Sequence, residues 1–147
     1  MSLQEIMKAM GAEASVKDSI EYSSDLLTLT EQGLPITALK SLQNELGLTN
    51  KETTELMGLS ESTLIRRYKP VNVEHRLTRD ETDKLIHVAK VVARGREVYG
   101  SETKFGQWIR SDVRALGNRK PLDLLWSSLG REQILELLIR IEHGMYS

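Results

Sequence analysis

The sequence TNKETTELMGLSESTLIRRYK, residues 49–69, carries the strongest local structural signal in the chain. Thr49 and Glu52, three residues apart, form a capping box, which predicts that a short helix begins here. Gly58 is predicted to end that helix and to form the next turn, because glycine enters positive φ at little energetic cost. The pattern indicates the first helix and the turn of a helix-turn-helix.

A second short helix is predicted directly after the turn. Ser60 is suited to cap it, and it extends from Glu61 to Lys69, where Pro70 ends it. In a helix-turn-helix the second helix is held against the first by apolar side chains and projects polar side chains outward. The predicted anchors are Leu56, Met57, Leu59 and Leu64.

The outward face of this second helix has the chemistry of a DNA-contacting surface. Hydroxyl groups near a helix start can bind phosphates, and an arginine can reach a guanine edge in the major groove. Arg66 is the candidate for the guanine contact, and Arg67 and Lys69 are candidates for phosphate contacts. A pair of capped helices with a solvated Arg-Arg face is the alternative that the residues leave open. The predicted DNA-contacting residues are Ser60, Glu61, Ser62, Ile65, Arg66, Arg67 and Lys69.

Helical spacing continues on both sides of this motif, whereas no segment has the apolar–polar alternation of a strand. The fold class is therefore predicted to be all-α. Thr78 and Glu81 form another capping box, which opens a long helix that Gly100 ends. The predicted helices outside the motif lie at about residues 6–10, 20–30, 35–46, 78–99, 101–110, 121–128 and 131–143.

A connector at residues 70–77 is the predicted boundary between two folded units. We expect a helical leader at residues 1–33, a helix-turn-helix domain at 34–70 and a small helical bundle at 78–147. Trp108 and Trp126 lie at helical positions among apolar neighbours, which predicts that both are core anchors.

Composition and charge limit the classes of protein that the chain can represent. Its 147 residues are 39% hydrophobic, with no cysteine, which excludes disulfides and thiolate metal sites. The net charge of −1 conceals a basic middle segment, residues 35–79, with seven basic and five acidic residues. No apolar run has the length of a signal peptide or a membrane span, so the expected location is the cytoplasm.

The sequence contains no recognisable catalytic or cofactor motif. His75, His87 and His143 lack metal-ligand spacing, no glycine-rich loop follows a strand, and no serine lies in a nucleophile elbow. We therefore expect a protein that is not an enzyme, with no metal ion and no cofactor.

The last predicted helix is apolar over most of its circumference, which requires burial on two sides. The second side can face another subunit, a partner protein or the core of a small bundle, and the residues leave all three open. The long helix at residues 78–99 also carries more apolar residues than a small bundle needs. These two features predict a homodimer.

Three stretches give the chain a family resemblance. Asn118–Leu125 and Gly144–Tyr146 resemble the toxin-binding domain of the Xre/MbcA/ParS antitoxin family, and Leu59–Arg67 is similar to that family's Xre-type helix-turn-helix. The resemblance extends from about Leu34 to Ser147. Asn118 stands where the family more often has glycine, and asparagine also tolerates left-handed backbone geometry.

The resemblance implies a function as well as a fold. Antitoxins of this kind pair with a RES-domain toxin that consumes NAD or uses it for ADP-ribosylation. Their C-terminal domain and final residues cover the entrance to the toxin's active site, and their helix-turn-helix binds operator DNA in the promoter of their own operon. The toxin-contacting residues that the resemblance implies are Arg140, His143, Gly144, Met145, Tyr146 and Ser147.

Two other hypotheses remain open from the sequence. The chain can be an ordinary transcription regulator whose C-terminal bundle dimerises or senses a ligand. It can also be a protein-binding module whose helix-turn-helix no longer binds DNA. A co-transcribed RES-type reading frame would favour the antitoxin or the binding module over the regulator.

Overall fold

A computed structural model describes residues 23–144, which form helices and turns with no strand among them. The prediction of an all-α fold is confirmed. The α-helices are α1 (Ser23–Gln32), α2 (Ile36–Leu46), α3 (Asn50–Met57), α4 (Glu61–Arg67), α5 (Arg79–Tyr99), α6 (Glu102–Ile109) and α7 (Ser128–Glu142). Short 3-10 helices lie at Pro70–Asn72, Arg114–Leu116 and Pro121–Leu124.

The predicted capping signals form the helix ends. Thr49 and Thr78 each complete a capping box with the glutamate three residues later. Gly58 and Gly100 end α3 and α5 in the left-handed conformation. Helix α4 is shorter than predicted, because it ends at Arg67 and Pro70 begins a 3-10 turn.

The start of α7 corrects the predicted boundary at residue 131. The Ser127 hydroxyl accepts a hydrogen bond from the Gly130 N–H at 3.2 Å, so the helix begins at Ser128. The predicted helix at 121–128 is only the 3-10 turn Pro121–Leu124. Gly130 is thus a first-turn residue, where the chain approaches the Leu124 carbonyl closely.

The long helix α5 lies at the centre of the core and packs against α1, α3, α6 and α7. Its apolar residues are buried within the chain itself, with Leu85, Val88 and Val92 fully inaccessible. The expectation of surplus apolar surface on this helix, one of the two reasons for predicting a homodimer, is therefore wrong. Self-association stays a prediction. The observation that still favours it is the exposure of apolar side chains on α7, such as Leu129 and Ile139.

The two tryptophans differ in their surroundings. Trp108 is partly buried and packs against Tyr99 and Phe105, with ring centroids 5.6 and 6.1 Å apart. Trp126 is 57% exposed, so the prediction of a core anchor is wrong for this residue. Its place after a 3-10 turn, rather than on the inner face of a helix, leaves the indole at the surface.

Contacts across the chain join its two halves into one body. The Leu77 N–H donates to the Leu34 carbonyl at 2.8 Å, and the Leu34 N–H donates to the Thr82 hydroxyl at 3.1 Å. Arg110 donates to both carboxylate oxygens of Glu52, at 2.9 and 3.1 Å. The division into units at residues 34–70 and 78–147 stays a prediction.

Some predictions fall on residues that the structure does not describe. The helix at residues 6–10, the first residues of the helix at 20–30, and the toxin-contacting residues Met145, Tyr146 and Ser147 lie outside the described part. Within residues 23–144, no helix has the length and apolar character needed to cross a membrane.

Candidate DNA-binding and partner-binding surfaces

Helices α3 and α4 form the predicted helix-turn-helix. Gly58 has φ +69°, and the Leu59 N–H donates to the Thr54 carbonyl at 3.1 Å, which closes the end of α3. The anchors Leu56, Met57 and Leu64 are buried, and Leu59 packs partly buried against the same core. The predicted roles of these four side chains are confirmed.

Two buried threonines allow α3 to lie close to its neighbours. The Thr53 hydroxyl donates to the Thr49 carbonyl at 2.9 Å, and the Thr54 hydroxyl donates to the Lys51 carbonyl at 2.7 Å. Because both hydroxyls bond within their own helix, neither leaves an unsatisfied polar atom in the core. Thr54 can therefore lie at a close contact between helices.

The outward face of α4 is open, as predicted. Ser60, Glu61 and Ser62 are exposed at its start, and Ser60 also caps the helix by accepting from the Thr63 N–H at 3.1 Å. Ile65 is 49% exposed, and the Arg66 guanidinium has no hydrogen-bond or ion-pair partner among residues 23–144. Lys69 is exposed just beyond the helix. DNA contact by these residues stays a prediction.

Arg67 differs from the other predicted DNA-contacting residues. One guanidinium nitrogen donates to both carboxylate oxygens of Glu81 at 2.9 Å, and the two side chains are only 14% and 12% exposed. Burial raises the pKa of the Glu81 carboxyl, but hydrogen bonds from Thr78 and Arg67 outweigh it, and the net pKa lies below the usual value. The phosphate contact of Arg67 stays a prediction, and this ion pair argues against it because the guanidinium charge is already balanced within the fold.

A polar network behind α4 was not predicted from the sequence. The Tyr68 hydroxyl donates to the side-chain oxygen of buried Gln43 at 2.8 Å. The Gln43 amide nitrogen donates in turn to the Leu48 carbonyl at 3.1 Å and to the Asn50 side chain at 2.8 Å. Burial raises the pKa of Tyr68 to about 12. The network ties the end of α4 to α2, and no local pattern marks this link because Tyr68 and Gln43 are 25 residues apart.

The end of α7 presents the described part of the predicted toxin-contacting set. Arg140, His143 and Gly144 are exposed, and Gly144 has φ +74°, which turns the chain as the helix ends. Arg140 lines a groove between α7 and the turn that contains Ala115 and Leu116. The toxin-contacting role of all three residues stays a prediction.

A second groove lies beside the same end of the molecule, between α5, α6 and α7. Its floor is apolar and aromatic, and Lys104 and the carboxylates of Glu97 and Glu142 lie at its edges. Glu142 is held by an ion pair with Arg94. Residues 23–144 contain no group of three or more histidine or acidic side chains placed to hold a metal ion.

The fold and surfaces define a class of protein: a helix-turn-helix unit joined to a helical partner-binding unit. Residues 25–90 match the family described as the antitoxin Xre-like helix-turn-helix domain. Residues 94–144 match the antitoxin Xre/MbcA/ParS C-terminal toxin-binding domain. The two matches together support the Xre/MbcA/ParS type of antitoxin, which confirms the resemblance seen in the sequence.

Curated relatives match the chain over most of their length. The chain is 25% identical to an Antitoxin Xre from Photorhabdus laumondii over 123 residues, which cover 83% of this chain and 81% of the relative. An Antitoxin Xre from Pseudomonas putida is 28% identical over 130 residues, which cover 86% of this chain and 78% of the relative.

A solved structure supports the same fold. The chain is similar to a chain of the Mycobacterium tuberculosis MbcT-MbcA toxin-antitoxin complex, with a TM-score of 0.51 and 22% sequence identity. The similarity covers 76% of this chain and 96% of that chain.

Proposed function

We propose that this chain neutralises a RES-domain toxin that consumes NAD or uses it for ADP-ribosylation, and that it represses its own operon by binding operator DNA. It acts in the cytoplasm and has no enzymatic activity of its own. The observation that carries the proposal is the presence, in one chain, of an Xre-like helix-turn-helix and an Xre/MbcA/ParS toxin-binding domain. The similarity in fold to a chain of the MbcT-MbcA toxin-antitoxin complex supports it.

Inhibition is proposed to depend on the chain that follows α7. Because Arg140, His143 and Gly144 are exposed, the described chain ends at the surface of the molecule and not in its core. Tyr146 offers a large apolar ring with a hydrogen-bonding tip, and Met145 adapts to irregular cavities. Together they suit a nucleotide-sized pocket at the entrance of the toxin's active site.

The experiment removes residues 144–147 and measures NAD consumption by the RES-domain protein of the same operon. The truncated chain is expected to stay folded, because the backbone contact of Gly144 is a single hydrogen bond to Ile141 at the helix end. It should still bind the toxin through the body of the domain, while NAD consumption returns. Tyr146→Ala should be intermediate, with a loss of about 1–3 kcal/mol of binding free energy.

Two results would contradict this proposal. Undiminished inhibition by the truncated chain would reject occlusion by residues 144–147 and favour a steric block by the domain body. Failure of the full chain to bind or inhibit the RES-domain protein would reject the proposed toxin. The DNA role is tested separately with a fragment of the operon's promoter at low salt, with and without toxin.

A further inference from the structure

The arginines of residues 23–144 divide into two groups according to whether the guanidinium has a partner. Six donate hydrogen bonds to carboxylates or carbonyls: Arg67, Arg76, Arg94, Arg96, Arg110 and Arg131. Five have no hydrogen-bond or ion-pair partner within the described part of the chain: Arg66, Arg79, Arg114, Arg119 and Arg140. The guanidinium groups of the first set are occupied by contacts within the fold, and those of the second set are available to other molecules.

Most of the unpaired arginines lie in two places. Arg66 and Arg79 lie within residues 25–90, which match the helix-turn-helix family. Arg114 and Arg119 lie with Lys120 on the turn Val113–Lys120, which we call the basic loop, and all three side chains are exposed. Over residues 110–120 the sequence has four basic residues and one acidic residue, and Arg110 is already paired with Glu52. The remaining positive charge of this segment forms no ion pair with any acidic side chain among residues 23–144.

The basic loop has a defined backbone. The Val113 N–H donates to the Arg119 carbonyl at 3.1 Å, and the Asn118 N–H donates to the Val113 carbonyl at 3.0 Å. Asn118 has φ +61°, which closes the turn, and Leu116 is buried as its anchor. Because the backbone is already ordered, binding through its cations costs little conformational entropy in the backbone.

The basic loop is continuous with the predicted toxin-contacting surface. Ala115 and Leu116 on the loop side line the same groove as Gln133 and Arg140 on α7, with Glu136 and Leu137 completing it. Glu136 lies one helical turn before Arg140 but forms no ion pair with it, so the Arg140 guanidinium remains available. The groove therefore runs from the basic loop, through its residues Ala115 and Leu116, to the cation Arg140 on α7.

We propose that the basic loop and Arg140 form an electrostatic docking surface for an acidic face of the toxin. This inference rests on the proposed function, because it assumes that the toxin binds this domain. The groove shared with Arg140, within the residues that match the toxin-binding family, favours a protein partner over DNA. Complementary charge of this kind accelerates association more than it slows dissociation, and salt weakens the effect.

The test compares two charge-reversed variants of the full chain with the wild type. R114E/R119E/K120E alters the basic loop, and K51E/R79E/K90E makes the same change in net charge outside the loop. Association with the purified RES-domain protein is followed over a range of salt concentrations. The loop variant should associate about 10-fold or more slowly at low salt and lose most of its salt dependence. The control variant should stay close to the wild type.

Each other outcome has a defined meaning. Equal slowing of both variants would overturn the inference, because the effect would then come from net charge. Weaker promoter binding by the loop variant, with unchanged toxin association, would assign the loop to nucleic acid instead. If the loop variant melts like the wild type and also associates with the toxin at the wild-type rate, the docking inference is overturned while the proposed function stands. Absence of toxin binding by the wild type would instead reject the proposed function.

Discussion

The helix-turn-helix and the segment between α6 and α7 connect helices in different ways. In the first, the turn at Gly58 joins two short helices. Each helix begins with a side-chain hydroxyl that accepts a hydrogen bond from the backbone N–H three residues later. In the second, the chain makes two 3-10 turns and is held by contacts to α7, including a hydrogen bond from Arg131 to the Leu125 carbonyl at 2.8 Å. The helix-turn-helix should therefore tolerate changes that spare its caps and anchors, whereas the second segment depends on close packing.

The largest expected effect is in the second segment, at Gly130. A Cβ atom there would lie 2.2 Å from the Leu124 carbonyl oxygen, and backbone cannot move aside cheaply. Gly130→Ala should lower the free energy of unfolding by about 2–3 kcal/mol, despite alanine's better helix propensity. Urea unfolding followed by circular dichroism measures this change.

Gly106→Ala is the matched control for Gly130→Ala. Gly106 lies within α6, and a Cβ atom added there would meet no other atom within 4 Å. Alanine at this position should therefore stabilise the protein by about 0.5–1 kcal/mol. Equal effects of the two substitutions would contradict the view that close packing against Leu124 holds this segment.

Two adjacent arginines provide the second test, in the helix-turn-helix. Arg67→Ala removes the largely buried partner of Glu81 and should lower the free energy of unfolding by about 1–2 kcal/mol. Arg66→Ala should leave unfolding unchanged, but should cost about 1–3 kcal/mol of DNA-binding free energy at one base position. Denaturant unfolding and promoter-binding titrations on both variants measure the two effects.

The reverse pattern would contradict this assignment of the buried and exposed faces of α4. If Arg66→Ala destabilised the fold and Arg67→Ala reduced DNA affinity, the buried and exposed faces of the helix would have to be exchanged. Lys69→Ala provides a comparison for phosphate contact, because it should weaken binding to all sequences about equally and reduce the salt dependence.

The smallest expected effect is a dependence of stability on acidic pH through Glu81. The folded-state pKa of this carboxyl lies below its ordinary value of 4.5. Its stabilising contribution is therefore fully present above that pH and is lost as the pH falls through the folded-state pKa. Glu81→Gln should flatten part of the acid limb of a plot of unfolding free energy against pH. An unchanged acid limb would show that the Arg67–Glu81 pair contributes little.

Several parts of the candidate surfaces could be predicted from the sequence, and others could not. The exposure of Arg66 followed from helical spacing after the Ser60 cap. Arg67, one residue later, was predicted on the same surface, but it lies against Glu81, 14 residues away. The unpaired state of Arg114 and Arg119 was also not predictable, because it depends on which acidic side chains the fold brings near them.

The sequence by itself determined where most helices begin and end. The capping boxes of Thr49 and Thr78 and the left-handed Gly58 and Gly100 involve hydrogen bonds between residues only a few positions apart, so the local chain is sufficient. Tertiary structure alone decided that Trp126 is exposed and that Gly130 packs against Leu124. Those outcomes depend on how whole helices and turns pack together, because burial and close approach are set by surfaces that the local sequence does not specify.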